Sequence, residues 1–129
     1  MTAGIVDSNI IIHIHRNNLN ARAWLAAQTV VHLVTSITWL EILDGVKSKA
    51  TQVACETILN YFQLEHLTPA DQNWAINQLS QKRLSQGIHV EDTLIASVAH
   101  RLQVPIYTHN VKDFLKLLPA ELVIKPYTE

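Results

Sequence analysis

"GIVDSNIII", residues 4–12, sets one aspartate, Asp7, between two apolar runs. Residues 3–6 read as a short strand with no polar face, the pattern of a strand buried on both sides of a parallel sheet. A helix opening at Ser8 follows directly. Burying an ionised carboxylate without partners costs several kcal/mol, so Asp7 needs a reason to be there. Two are available. It can cap the helix that opens at Ser8, or it can stand in the crevice beyond the carboxyl end of a strand, where open parallel sheets bind ligands.

The rest of the chain repeats the alternation. Residues 18–28 are Ala/Leu-rich and helical, 30–34 are β-branched and read as a second strand, and 38–45 and 48–62 read as helices around Gly45. "FQLEHL" (62–67) is a third short strand. "TPADQNWAINQLSQKRLSQG" (68–87) is a helix with Thr68 as N-cap, Pro69 at the first position, Asp71 in capping-box register and Gly87 past its end. A helix at 91–102, a strand "VPIYTHN" (104–110), a short helix near 111–117 and a last strand "ELVIKPY" (121–127) complete the chain. Strands alternating with helices predict an α/β fold, a three-layer α/β/α arrangement around a short, mostly parallel sheet with right-handed crossovers.

Composition bounds the function. The 129 residues suit a single domain, 1–129, able to bury roughly 65–70% of its unfolded surface. With 48% hydrophobic and 16% charged residues the chain is globular rather than disordered. The formal net charge of −1 gives no overall cationic field to advertise a nucleic-acid partner. Cys55 is the single cysteine, so no internal disulfide forms, and a reducing, cytoplasmic setting is expected. The N-terminus lacks a basic region and a small-residue cleavage site. Residues 23–40 carry no formal charge, but the β-branched "VVHLV" in their middle predicts helix, strand, helix start rather than a membrane span.

Four more acids invite comparison with Asp7. Glu41 lies three residues after Thr38, a capping-box spacing, with Ile37 and Ile42 placed as a hydrophobic staple. Asp92 and Glu91 open the helix at 91–102, and periodicity does not choose between them: each shares a face with apolar residues among Leu94, Ile95, Val98 and Ala99. Asp113 follows Asn110 at cap spacing. Each acid has a structural explanation, and Asp71 needs no other. As a set they say more. At least three follow strand ends or open helices in positions that converge on one crevice. Clustered carboxylates repel and take up protons unless a cation is present. Oxygen donors select hard ions, Mg²⁺ or Mn²⁺, and such ions between carboxylates suit phosphodiester hydrolysis.

"IVDSNIII", "TSITWLEILDGV", "VEDTLIASVA" and "YTHNVKDF" resemble, in order and spacing, the four acidic motifs of the PIN-domain nucleases. The length resembles the VapC-type ribonuclease toxins of type II toxin–antitoxin pairs. The resemblance implies a PIN domain that cuts RNA with Mg²⁺ or Mn²⁺ held by Asp7, Glu41, Asp92 and Asp113, with Thr108 and Asn110 in support. It selects Asp92 over Glu91, because Asp92 precedes Leu94-Ile95-Ala96 in motif register. It further implies a homodimer and a small cognate antitoxin whose tail covers the crevice. Lys112 or Arg16 would hold the RNA backbone at the rim. A housekeeping PIN nuclease in RNA processing, or a non-catalytic binding module that keeps the fold, are the alternatives. The first would lack a neighbouring reading frame for an antitoxin. The second would lack a motif acid, and none is lacking.

Other signals are weaker. "HIH" (13–15) has too few converging ligands for zinc, and His109 is free to face crevice or solvent. No Walker loop and no GxSxG is present. Asn9 stands where a haloacid-dehalogenase phosphatase would carry its second acid. Trp24, Trp39 and Trp74 fall on helices and read as core or interface.

Overall fold

The computed structural model describes residues 3–129. In chain order it contains β1 (Ile5–Val6), α1 (Ser8–His15), α2 (Leu19–Ala26), β2 (Leu33–Thr35), α3 (Ser36–Gly45), α4 (Lys49–Leu59), β3 (Gln63–Glu65), α5 (Pro69–Gln86), α6 (Val90–Leu102), β4 (Ile106–Tyr107), α7 (Val111–Phe114) and β5 (Val123–Ile124). The strands form one sheet in the order β3-β2-β1-β4-β5, and every pairing is parallel.

Two residues of β1 organise both cores. Successive strand side chains point to opposite faces, so Ile5 and Val6, both fully buried, enter different clusters. Ile5 packs with Ile88, Ile95, Val98, Ile106 and Phe114. Val6 packs with Ile10, Ile14, Ile58 and Leu59. Helices therefore cover both faces and make the three layers expected from the sequence. Gly4 lets β1 approach β4: a Cβ there would lie 2.6 Å from the Tyr107 ring and 2.8 Å from the Pro105 carbonyl oxygen.

The chain runs from β1 to β2 and β3 on one side, then returns to β4 and β5 on the other. β1 is thus the point where the strand order reverses. Open parallel sheets bind ligands beyond the carboxyl end of the strand at such a point, and Asp7 is the first residue after β1.

The elements match the sequence reading in number and type, with shifted bounds. The strands are shorter than expected, because only residues with a paired neighbour on the sheet qualify. The helix expected over 48–62 ends at Leu59, and the one near 111–117 ends at Phe114. The uncharged segment 23–40 divides into the end of α2, β2 and the start of α3, and among the described residues no helix is long and apolar enough to cross a membrane. The bracketing of α5 holds in full. Thr68 and Asp71 form a reciprocal capping box, and Gly87 sits at φ 68°. Asp71 is also clasped by the Arg101 side chain at 2.9 and 3.1 Å, which ties α5 to α6.

Candidate active site

Asp7 is 5% exposed and extends β1 by one residue. Its N–H donates to the Tyr107 carbonyl at 3.0 Å, fixing its backbone against β4. It does cap α1: its Oδ1 accepts from the Ser8 N–H at 2.8 Å. Its Oδ2 accepts from the Thr108 hydroxyl at 2.7 Å. Thr108 is fully buried, and its Oγ1 in turn accepts from the Asn110 N–H at 2.9 Å. The cap and the functional reading are therefore not rivals, since the bond to Ser8 is part of what immobilises the carboxylate.

Glu41 corrects the sequence reading. Thr38 is not the N-cap of α3 and makes no capping box with Glu41. The cap is Thr35, whose side chain accepts from the Thr38 N–H at 3.3 Å. Freed from a cap, Glu41 meets the start of α1, where the Ser8 hydroxyl donates to its Oε1 at 2.9 Å. Asn110 departs from expectation in the same way. It occupies the N-cap position of α7 but makes no side-chain cap. Its Nδ2 donates instead to Asp92 Oδ2 at 3.2 Å, across 18 residues of sequence. Asp92 is half-buried while Glu91 is exposed, so the geometry separates the two acids that periodicity left equal.

The electrostatics join the set. Burial, with the negative charges of Asp92 and Glu41 adding to it, pushes the Asp7 carboxyl up to about 6 despite the opposing bonds from Thr108 and Ser8. Glu41 is exposed as a residue, yet partial desolvation of its carboxylate raises it, with Glu91 and Asp92 adding repulsion. Asp92 is raised by desolvation first and by Asp113 next. Asp113 moves the other way: Lys116 donates to its Oδ1 at 3.1 Å and holds it below the usual carboxylate range. Clustering thus raises three of the four acids, and the fourth is held down by its own cation.

As they stand, no three His, Cys, Asp or Glu side chains among the described residues close around a single point. The donor chemistry nonetheless suits a hard divalent ion. All the candidate donor atoms are carboxylate oxygens, three of the four acids are pushed toward protonation by burial and by one another, and no Lys or Arg among the described residues pairs with Asp7, Glu41 or Asp92.

Several partners escaped the sequence reading. Ser8 and Asn9 adjoin Asp7 in the motif, and Asn9 Oδ1 accepts from the His109 N–H at 3.4 Å. Lys116 was legible only as an i,i+3 partner of Asp113. His109 faces neither crevice nor open solvent. Its ring packs on His13 and Tyr127, with centroids 4.8 and 4.6 Å apart. His13 bonds the Tyr127 hydroxyl at 2.8 Å and Glu129 at 3.0 Å, a strap for the C-terminal segment. Arg16 caps the end of α1 remote from Asp7, so it does not stand at the rim of this crevice.

No family model matches the chain. Among curated proteins, Ribonuclease VapC of Rickettsia bellii is 31% identical over 130 residues, spanning 95% of this chain and 96% of its own. The chain belongs to the VapC ribonuclease family. A second VapC relative, Ribonuclease VapC1 of Rickettsia felis, is 26% identical over 92% of this chain and 93% of its own. Among solved structures, a toxin–antitoxin complex from Klebsiella pneumoniae contains a chain of the same fold, with TM-score 0.79 at 22% identity, covering 98% of this chain and all of that one. The VapC assignment agrees with the resemblance carried by the four acidic motifs, and the fold agrees with the three-layer expectation.

Proposed function

We propose that this VapC-family chain is a divalent-metal-dependent endoribonuclease and the toxin of a toxin–antitoxin pair, acting in the cytoplasm as a homodimer. One observation carries the reading. Asp7 is a buried carboxylate at the end of the central strand, locked by two donors, pressed by two further acids and paired with no cationic side chain among the described residues. Such a group is costly to fold and is explained by an ion it waits for. The names of the relatives support RNA as the substrate, and the Klebsiella neighbour, a toxin–antitoxin complex, supports an antitoxin partner.

The residues divide the work. Asp7, Glu41, Asp92 and Asp113 would hold Mg²⁺ or Mn²⁺. The ion supplies water activation and charge neutralisation at the scissile phosphodiester. Thr108 and the Ser8 N–H keep Asp7 in one orientation. Ser8 also steers Glu41, and Asn110 steers Asp92. The buried core beneath β1 gives these groups a rigid floor, so ligand positions do not drift during the reaction.

Purified protein incubated with total RNA, with and without Mg²⁺, tests this reading. Discrete new RNA ends are expected with the ion and none with chelator. Equal cleavage in both conditions, or none in either, contradicts it.

A further inference from the structure

Asp113 is the one acid of the four with its own cation, and the pair is built to come apart. Lys116 Nζ meets a single oxygen, Oδ1, at 3.1 Å, and both side chains are more than a quarter exposed. A one-point, part-exposed lysine pair is weak and screened. The backbone behind it is anchored: the Lys116 carbonyl accepts from Lys82 Nζ at 2.9 Å, and the Lys116 N–H donates to the Asp113 carbonyl at 3.2 Å. The ammonium is therefore free to swing while its stem stays beside Asp113. Lys112 is exposed on the same helix, one residue before Asp113. Lys82, which reaches the Lys116 carbonyl, and Lys112, next to Asp113 in the chain, add positive charge to this segment.

We propose that Lys116 is an exchangeable counter-ion, holding Asp113 while that carboxylate lacks a metal and, once displaced, binding a phosphate of the RNA strand. This rests on the nuclease reading above. The logic is charge exchange. A divalent ion reaching Asp113 displaces a singly charged, singly bonded ammonium. The freed ammonium then meets the backbone phosphate that the ion attracts. An ammonium is a point charge with rotatable donors, suited to phosphate and indifferent to base identity. Metal loading and substrate binding are then coupled through one side chain, and the metal-free protein presents a quieter surface to RNA.

The exchange predicts effects of opposite sign. Lys116→Gln removes the competitor for Asp113, so the dissociation constant for Mn²⁺, measured by calorimetry without RNA, should fall about two- to fivefold. The same variant loses a phosphate contact. Cleavage of a single-stranded RNA oligonucleotide at saturating Mn²⁺ should show KM raised about three- to tenfold, kcat little changed, and a salt dependence of log kcat/KM shallower by about 0.7. Lys116→Arg should restore KM while binding Mn²⁺ no tighter than wild type, because a guanidinium pairs with Asp113 at least as well. Lys47→Gln, an exposed lysine in the loop after α3, should match wild type in both assays. A Lys116→Gln variant that binds Mn²⁺ no tighter, or that keeps the wild-type KM, overturns the proposal. A wild type that neither binds Mn²⁺ nor cleaves RNA overturns the nuclease reading itself, and this inference with it.

Discussion

Asp7→Asn should lower RNA cleavage by at least about 100-fold, the scale seen when one group that stabilises the reacting centre is removed. The substitution keeps shape and volume, and the amide oxygen still accepts from the Ser8 N–H. The amide nitrogen then faces Thr108 Oγ1, which already accepts from the Asn110 N–H. The Thr108 hydroxyl proton must turn away, and the clamp loosens without a change of fold. The main loss is the charge. A neutral amide is a poor ligand for a hard divalent ion. Single-turnover cleavage of an RNA oligonucleotide with millimolar Mn²⁺ checks this, and a rate within a fewfold of wild type would remove Asp7 from the mechanism.

Expression in a host without an antitoxin should arrest growth, and Asp92→Asn should abolish the arrest while Glu91→Gln preserves it. The two acids are neighbours at the start of α6, so helix-terminus effects and local charge are nearly matched. What separates them is direction. Asp92 is half-buried and meets Asn110 from the β4–α7 turn, while Glu91 is exposed. An asparagine at 92 presents its oxygen to the Asn110 amide, so folding survives and the missing carboxylate is the variable. Matched protein levels on an immunoblot complete the comparison. Arrest relieved by Glu91→Gln and retained by Asp92→Asn would place the wrong acid in the site.

How much of this was legible in the sequence depends on the range of each interaction. The bracketing of α5 by Thr68, Asp71 and Gly87 is local chemistry, and it was read in full. Asp7 stood out because a carboxylate in an apolar run violates burial, whatever the fold. Strand lengths were not legible, because β1 and β4 exist as two-residue strands only through pairing with distant partners. The capping box suggested by Thr38 and Glu41 fails for a related reason. The spacing imitates such a box, but Thr35 captures the helix start, and the partner of Glu41 is Ser8, 33 residues away. Helical periodicity leaves Glu91 and Asp92 equal and motif register alone picks Asp92; its physical partner, Asn110, lies 18 residues away. Arg16 looked like a rim residue only while the direction of α1 was unknown.

If four carboxylates share an ion, the stability of the metal-free protein carries the signature. Asp7 titrates near 6 in the folded state and about 4 when unfolded. The native state therefore binds more protons between these values. Its stability is highest below about pH 4 as far as this group is concerned, and this contribution is lost as pH rises through about 6. At neutral pH the metal-free fold carries the full cost of the buried charge. An ion bound only by the folded state offsets it, adding about 2.7 kcal/mol at a hundredfold excess over its dissociation constant. The direct test is thermal unfolding at pH 7, in chelator and in millimolar Mn²⁺ at matched ionic strength, for wild type, Asp7→Asn and Asp113→Asn. Wild type should melt several degrees higher with the ion, and both variants should gain much less. An identical gain in all three proteins would mean that these acids do not share a metal site.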